Sequence, residues 1–242
     1  GLANALLWAG FMALEDGEIS QAQDVLYKCS ELASEVQFTN VFAAATSGLG
    51  RIEFSRGNYV VAQKNLEQSL SLFHEIGDLI GVQIVATVLG ELLHVLGDYA
   101  RAELSYFEGM EIDRRVSGRD SDRMIVLLSL SLCRQERLSE ARQLLRRVQA
   151  IQRDDYDPHI VHRYLVALAV LESVSGQSRR AAQLLGYLDR SMKTEQDVFE
   201  EVFRIEGVRV TDELRRQMGE EPFSAHWNRG RERKGELHTL DF

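Results

Sequence analysis

The amino-acid sequence predicts an all-α chain of stacked antiparallel helix pairs, and three observations predict it. First, Ala22, Ala62, Ala102, Ala141 and Ala181 are spaced by forty, forty, thirty-nine and forty residues, and Gly10/Gly50/Gly90, Gly17/Gly57/Gly97 and Ile19/Tyr59/Tyr99 keep the same period. Self-similarity at a fixed period of this length marks a repeat architecture. Second, apolar residues recur at three- and four-residue steps, interrupted by helix stop and start signals. Third, the 242 residues hold two prolines, Pro158 and Pro222. Both fall at predicted helix starts, where the missing N–H costs nothing.

The elements follow in order as units near residues 2–37, 38–77, 78–117, 118–156 and 157–192, which form one array over 1–190. Residues 193–242 are expected to supply helices that cap the same domain. The first unit carries Gly10, Gly17, Ala22 and Leu26. In the second, Phe42, Thr46, Leu49, Ile52 and Phe54 line one helix, Gly57 ends it, and Asn58 is placed to cap the next. Tyr59, Ala62, Leu66, Leu70 and Phe73 carry that helix onward, and Gly77-Asp78 repeats the stop and start. The third unit has Gly97 as terminator and Asp98 as cap, then Tyr99, Ala102, Tyr106 and Met110. The fourth has Ser129 and Glu136 in place of the glycines but keeps Leu138, Ala141 and Leu145; the fifth recovers Gly176, Ala181 and Leu185. Close helix approach needs small residues, so Gly50 is expected to face Ala62, and Gly90 to face Ala102. Trp8 and Trp227 are expected to pack at the two ends, where an array must cover its core.

Composition bounds the function. With 45% hydrophobic residues and a mean hydropathy of -0.20 the chain suits a globular protein. No apolar run reaches the length of a membrane span and no signal peptide opens the sequence, so the expected location is the cytoplasm. The first residue is Gly1, as expected of a piece of a longer polypeptide. The net charge of -9 is uneven: residues 1–111 hold 5 Lys plus Arg against 15 Asp plus Glu, and residues 112–242 hold 23 against 22. An acidic first half disfavours nucleic acid. Arg142, Arg146, Arg147, Arg179, Arg180, Arg229, Arg231 and Arg233 are interleaved with acids and read as a solvated face rather than a basic patch. Cys29 and Cys133 are too few for a disulfide framework or zinc site and read as small core or groove residues.

The signals Leu49-Gly50, Gly57-Asn58-Tyr59, Ala62 and Leu66, repeated as Leu89-Gly90, Gly97-Asp98-Tyr99, Ala102 and Tyr106, resemble the tetratricopeptide repeat, TPR. The ordinary repeat is about 34 residues, so a period near 40 implies lengthened helices. The resemblance implies a right-handed, TPR-like α-solenoid of about five repeats plus C-terminal capping helices. Phe73-His74-Glu75-Ile76-Gly77-Asp78, Ala181-Ala182-Gln183-Leu184-Leu185-Gly186, Met218-Gly219-Glu220-Glu221, Phe223, Ala225, Trp227 and Gly230-Arg231 are further similar to the repeat region that ends MalT-like and LuxR-type regulators and related signalling ATPases and cyclases.

In that family the first helix of each unit lines a concave groove. Projection by the period gives Asn4, Leu7 and Phe11; Ser47, Arg51 and Phe54; Thr87, Glu91 and His94; Arg123, Val126 and Leu130; and Arg163, Val166 and Val170. An apolar wall with few charges fits an amphipathic peptide, a partner helix or a small effector. Arg51, Glu91, His94, Arg123 and Arg163 are the expected polar contacts, with Phe11, Phe54, Thr87 and Leu130 beside them. The clamp that holds a chaperone's C-terminal carboxylate is not supported, because Leu7, Ser47 and Thr87 stand where lysines and asparagines are needed.

Catalytic signals are weak. The sequence lacks a phosphate loop, a dinucleotide turn and a Gly-x-Ser-x-Gly elbow. Asp154, Asp155, Asp157, His159 and His162 have metal-like spacing, but Asp157 before Pro158 reads more simply as a helix start. Glu200, Glu201, Glu206 and Glu213 read as a solvated helix face. No helix-turn-helix fits after Gly230. The expectation is a non-enzymatic module without metal or cofactor, acting as a sensor or interaction domain of a bacterial transcription regulator or signalling ATPase. It binds no nucleic acid or membrane itself. The alternative is a self-association scaffold that oligomerises a larger regulator.

Overall fold

The computed structural model describes residues 1–148, 158–191 and 201–233. These residues form helices and no strand. The helices are α1 (Leu2–Glu15), α2 (Ile19–Glu35), α3 (Thr39–Ser55), α4 (Tyr59–Ile76), α5 (Leu79–Val95), α6 (Tyr99–Ser117), α7 (Asp122–Arg134), α8 (Leu138–Leu145), α9 (Pro158–Val174), α10 (Ser178–Ser191), α11 (Glu201–Met218) and α12 (Glu220–Glu232). The chain is a helix-pair repeat protein of the α-solenoid class, as its period predicts.

Three-residue connections make the partners of each pair antiparallel neighbours. The middle residue is left-handed at Gly17, Gly57, Gly97 and Gly176, with φ of 76°, 78°, 84° and 79°. Glu136 takes the same place in the fourth pair at φ 60°. The next amide closes each turn onto the preceding helix: Glu18 N–H donates to Ala13 at 2.8 Å, Asn58 to Glu53 at 2.9 Å, Arg137 to Leu132 at 3.0 Å and Gln177 to Glu172 at 2.8 Å. Gln37 (φ 55°) and Gly77 (φ 71°) serve likewise between pairs. The Asp78 carboxylate accepts from Gly81 N–H at 3.0 Å, capping α5. Asn58 does not cap α4; its amide donates to Glu53 at 2.7 Å instead.

The helices divide into two compact units. The first, Gly1–Gly97 with Leu104–Arg119, builds its core by seating large residues in glycine notches. Ala22, Leu26, Cys29 and Ala33 of α2 cluster with Ala3 and Ala13 of α1 and with Val41, Ala45 and Ile52 of α3. A methyl group added at Gly10 would lie 2.6 Å from Leu26, at Gly50 2.9 Å from Leu66, and at Gly90 2.6 Å from Tyr106. The notches therefore receive Leu66 and Tyr106 rather than Ala62 and Ala102, which the sequence placed opposite them. The alanines are buried all the same. The helices cross one turn further on, where a large side chain fills the space that a missing Cβ leaves.

The second unit takes Asp98–Glu103 and the described residues from Asp120 onward. Here α7 packs on α8 and α9, α9 on α10 and α11, and α10 on α12. The α10–α12 contact is the tightest kind, backbone to backbone. A methyl at Gly186 would meet the Trp227 carbonyl oxygen at 2.0 Å, and one at Gly230 would meet the Gln183 carbonyl oxygen at 2.0 Å. Trp227 is half-buried, its ring 5.4 Å from that of Phe223. Trp8 does not pack as expected: it is 71% exposed on α1. Cys29 and Cys133 are buried free thiols, and burial pushes Cys133 up to about 12. No helix among the described residues is long and apolar enough to cross a membrane.

Candidate interaction surface

The residues projected onto a groove wall do not share one environment. In the first unit Arg51 is exposed and Phe11 half-buried, whereas Phe54, Thr87, Glu91 and His94 are buried, His94 completely. Thr87 Oγ1 turns back on its own helix and donates to the Gln83 carbonyl at 2.7 Å. In the second unit Arg123 and Arg163 are half-buried, and Leu130, Val126, Val166 and Val170 are interior. The physical reason lies in α5 and α7, whose runs Val85–His94 and Met124–Cys133 are buried on every side. A helix apolar all round has no face that a period can assign to solvent. Arg51, with Phe11, Arg123 and Arg163 in part, is left with surface to offer a ligand. Asn4 is exposed, Leu7 half-buried and Ser47 buried.

The acidic residues read as a solvated face on α11 are not one. Glu206 is fully buried and Glu213 is 25% exposed at its side chain. Arg134 of α7 donates Nε to Glu206 and Nη1 to Glu213, each at 2.9 Å. Arg209 donates to the other Glu206 oxygen at 2.7 Å and to the Tyr99 hydroxyl at 3.1 Å. Burial opposes the charge on Arg134, but the two carboxylates more than offset it and hold the guanidinium protonated. The signal was legible: Phe203, Glu206, Val210 and Leu214 recur at three- and four-residue steps, so Glu206 lies inside an apolar stripe. Glu201 pairs with Arg204, and Glu200 lies outside the described residues.

Several arginines of the second half pair with the interleaved acids. Glu172, 1% exposed, accepts from Arg142 at 3.2 Å, with Arg180 at 3.9 Å. Arg137 grips Glu103 at 2.7 Å and Glu140 at 2.7 Å, and holds the Glu140 carboxyl below the usual carboxylate range. Arg147 pairs with Asp120, and Arg231 with Asp189 at 3.2 Å. Of the metal-like cluster, Asp154, Asp155 and Asp157 lie outside the described residues; His159 is exposed and His162 buried. Among the described residues no three His, Cys, Asp or Glu converge on a metal-sized space.

Two cavities open in the second unit. One of about 390 Å³ has a floor of Val166, Leu185, Leu188, Phe203 and Trp227 and a rim of Asp189, Arg204, Asp212 and Arg215. The other, about 510 Å³, is lined by Gln177, Ser178, Arg179, Met218, Pro222 and His226. Burial, with Arg229 and Arg179 nearby, holds the His226 imidazole below its ordinary value.

No protein-family model and no curated protein matches the sequence. Solved structures are similar in fold. BtubC (BKLC) of P. vanneervenii is 17% identical with a TM-score of 0.62, over 79% of this chain and 80% of its own. A Podosopora anserina protein described as a kinesin light chain with nearly identical TPR-like repeats is 16% identical, TM-score 0.57, over 79% and 97%. A tetratricopeptide repeat protein of Parabacteroides merdae is 13% identical, TM-score 0.54, over 98% and 96%. Likeness at these identities is likeness of fold: the chain has a TPR-like domain.

Proposed function

We propose that this chain is a non-catalytic interaction module that holds a peptide or partner helix against the first helices of its repeats. The observation that carries the reading is the pairing of a TPR-like helix array with Arg51 left exposed on a first helix, one turn from Gly48, where a methyl would lie 3.4 Å from the half-buried ring of Phe11 on α1. An exposed cation beside apolar surface is how such walls take amphipathic segments. The test is fluorescence anisotropy with peptides selected from a displayed random library on the purified chain. Arg51→Glu and, separately, Phe11→Ala are expected to weaken the selected peptides by about tenfold, the loss of a typical interface contact. Equal affinity for wild type and both variants rejects this wall.

We further propose that the parent protein is a bacterial regulator or signalling ATPase. Support comes from the C-terminal signature, because Gly186, Trp227 and Gly230, which carry the resemblance, meet at a single helix crossing. The reading frame around Gly1 is expected to encode an ATPase, cyclase or DNA-binding domain; a frame with none of them removes this context. A small effector is the second reading, favoured by the cavity of about 390 Å³ with apolar floor and charged rim. Gly207 of α11 also lines this cavity, and filling it with Gly207→Trp is expected to abolish effector binding while leaving peptide affinity unchanged.

A further inference from the structure

Helix α1 carries an apolar stripe that no described residue covers. Leu2, Trp8 and Met12 are 68%, 71% and 52% exposed, and Ala5 and Ala9 between them are exposed too. These positions share one helix face, and α1 holds no charged residue before Glu15. A lone exposed tryptophan needs no explanation, but a full stripe of this kind does.

The repeat register says what belongs there. One period on, the same positions of α3 are Phe42, Ala45, Gly48, Leu49 and Ile52; two periods on, those of α5 are Val82, Val85, Val88, Leu89 and Leu92. Phe42 and Leu49 are half-buried and the other eight are buried. In α3 the cover is the preceding second helix: Ala45 and Ile52 share a cluster with Ala22, Leu26, Cys29 and Ala33 of α2, and a methyl at Gly48 would lie 2.7 Å from Leu26 Cδ1. In α5, Gly81 sits against Phe73 of α4, where a methyl would lie 2.3 Å from the ring. Gly1 stands two periods before Gly81 and offers the same notch.

We infer that the outer face of α1 docks a helical hairpin of the repeat's own kind, seated on α1 as the α1–α2 pair is seated on α3. The occupant's second helix presents an apolar ridge at the positions that Cys29 and Ala33 hold in α2. It differs from α2 in one respect. Trp8 occupies the register of Gly48, so the residue facing it must be small where α2 has Leu26.

The test extends the chain with a copy of residues 39–80 joined directly to Gly1, which then stands where Gly81 stands after Ile80. One form keeps the copy unchanged and one carries Leu66→Ala within it; Trp227→Phe throughout leaves Trp8 as the only fluorophore of its type. In the alanine form the acrylamide quenching constant of Trp8 is expected to fall severalfold and its emission to move to the blue, with a smaller effect in the unchanged form. A copy carrying Leu66→Glu and Phe73→Glu is expected to leave Trp8 as quenchable as in the unextended chain. Equal quenching in all forms, with far-ultraviolet circular dichroism showing the added helices formed, overturns the inference. So does an unextended chain that is dimeric by light scattering and becomes monomeric with Trp8→Glu, which gives the face to a second copy. None of these readouts depends on peptide binding at Arg51.

Discussion

At the scale of single residues, Gln37 and Glu136 bear the clearest strain. Both stand at φ 55–60°, in a turn whose other members are glycines. A left-handed residue with a Cβ costs about 1 to 2 kcal/mol, and glycine gives back part of that gain through its greater chain entropy when unfolded. Gln37→Gly and Glu136→Gly are each expected to raise stability by about 1 kcal/mol, read as a higher urea midpoint at unchanged slope. No gain at either site would mean that the turn is held by its hydrogen bonds and not limited by its torsion. The sequence records Glu136 as a departure from the repeat. It does not record that the turn forms there anyway, because the closing bond from Arg137 to Leu132 is made by backbone whatever the side chain.

At the scale of the element, the helix pairs were legible because glycines that turn left-handed punctuate them, at Gly17, Gly57, Gly77, Gly97 and Gly176. The α10–α12 clasp was not, since Gly230 lies outside the repeat and nothing in its neighbours announces that Gln183 approaches it. Gly186→Ala and Gly230→Ala each drive a methyl onto a backbone carbonyl that has no rotamer by which to retreat. Each is expected to cost about 3 kcal/mol, the upper end for overpacking, measured by chemical denaturation; a loss below about 1 kcal/mol would show that the helices slide apart freely. His226 gives the clasp a pH dependence. Its imidazole is held below the ordinary histidine value by burial and by Arg229 and Arg179, so the neutral ring favours the folded state. That stabilisation is complete above the unfolded-state value and is lost as pH falls through it toward the depressed folded value. His226→Asn is therefore expected to flatten the fall in melting temperature between about pH 7 and 5 relative to wild type. Parallel curves would remove the effect. The groove was the least legible part, because projection by the period gives a position on a helix but not the number of neighbours around it. Glu91 and His94 keep the polar character of a wall while lying in the interior.

At the scale of the whole chain, a repeat protein stores its stability in neighbouring elements, so damage is expected to stay near its source. Arg134 offers a sharp way to ask this. It is 10% exposed and bound to Glu206, which has no exposed surface, and to Glu213. Arg134→Met takes the guanidinium away from Glu206 and Glu213, and the loss is expected to be about 3 kcal/mol, the low end for breaking a buried pair. Adding Glu206→Gln is expected to return part of it, because the uncompensated charge disappears. Hydrogen exchange read by mass spectrometry decides where that loss is felt. Protection is expected to fall by more than tenfold in α7 and α11, a change of about 1.4 kcal/mol or more in local opening, while α1 to α4 exchange as in wild type. A uniform loss across both compact units would mean that the chain opens as one cooperative body, and the nearest-neighbour account of its stability would then fail.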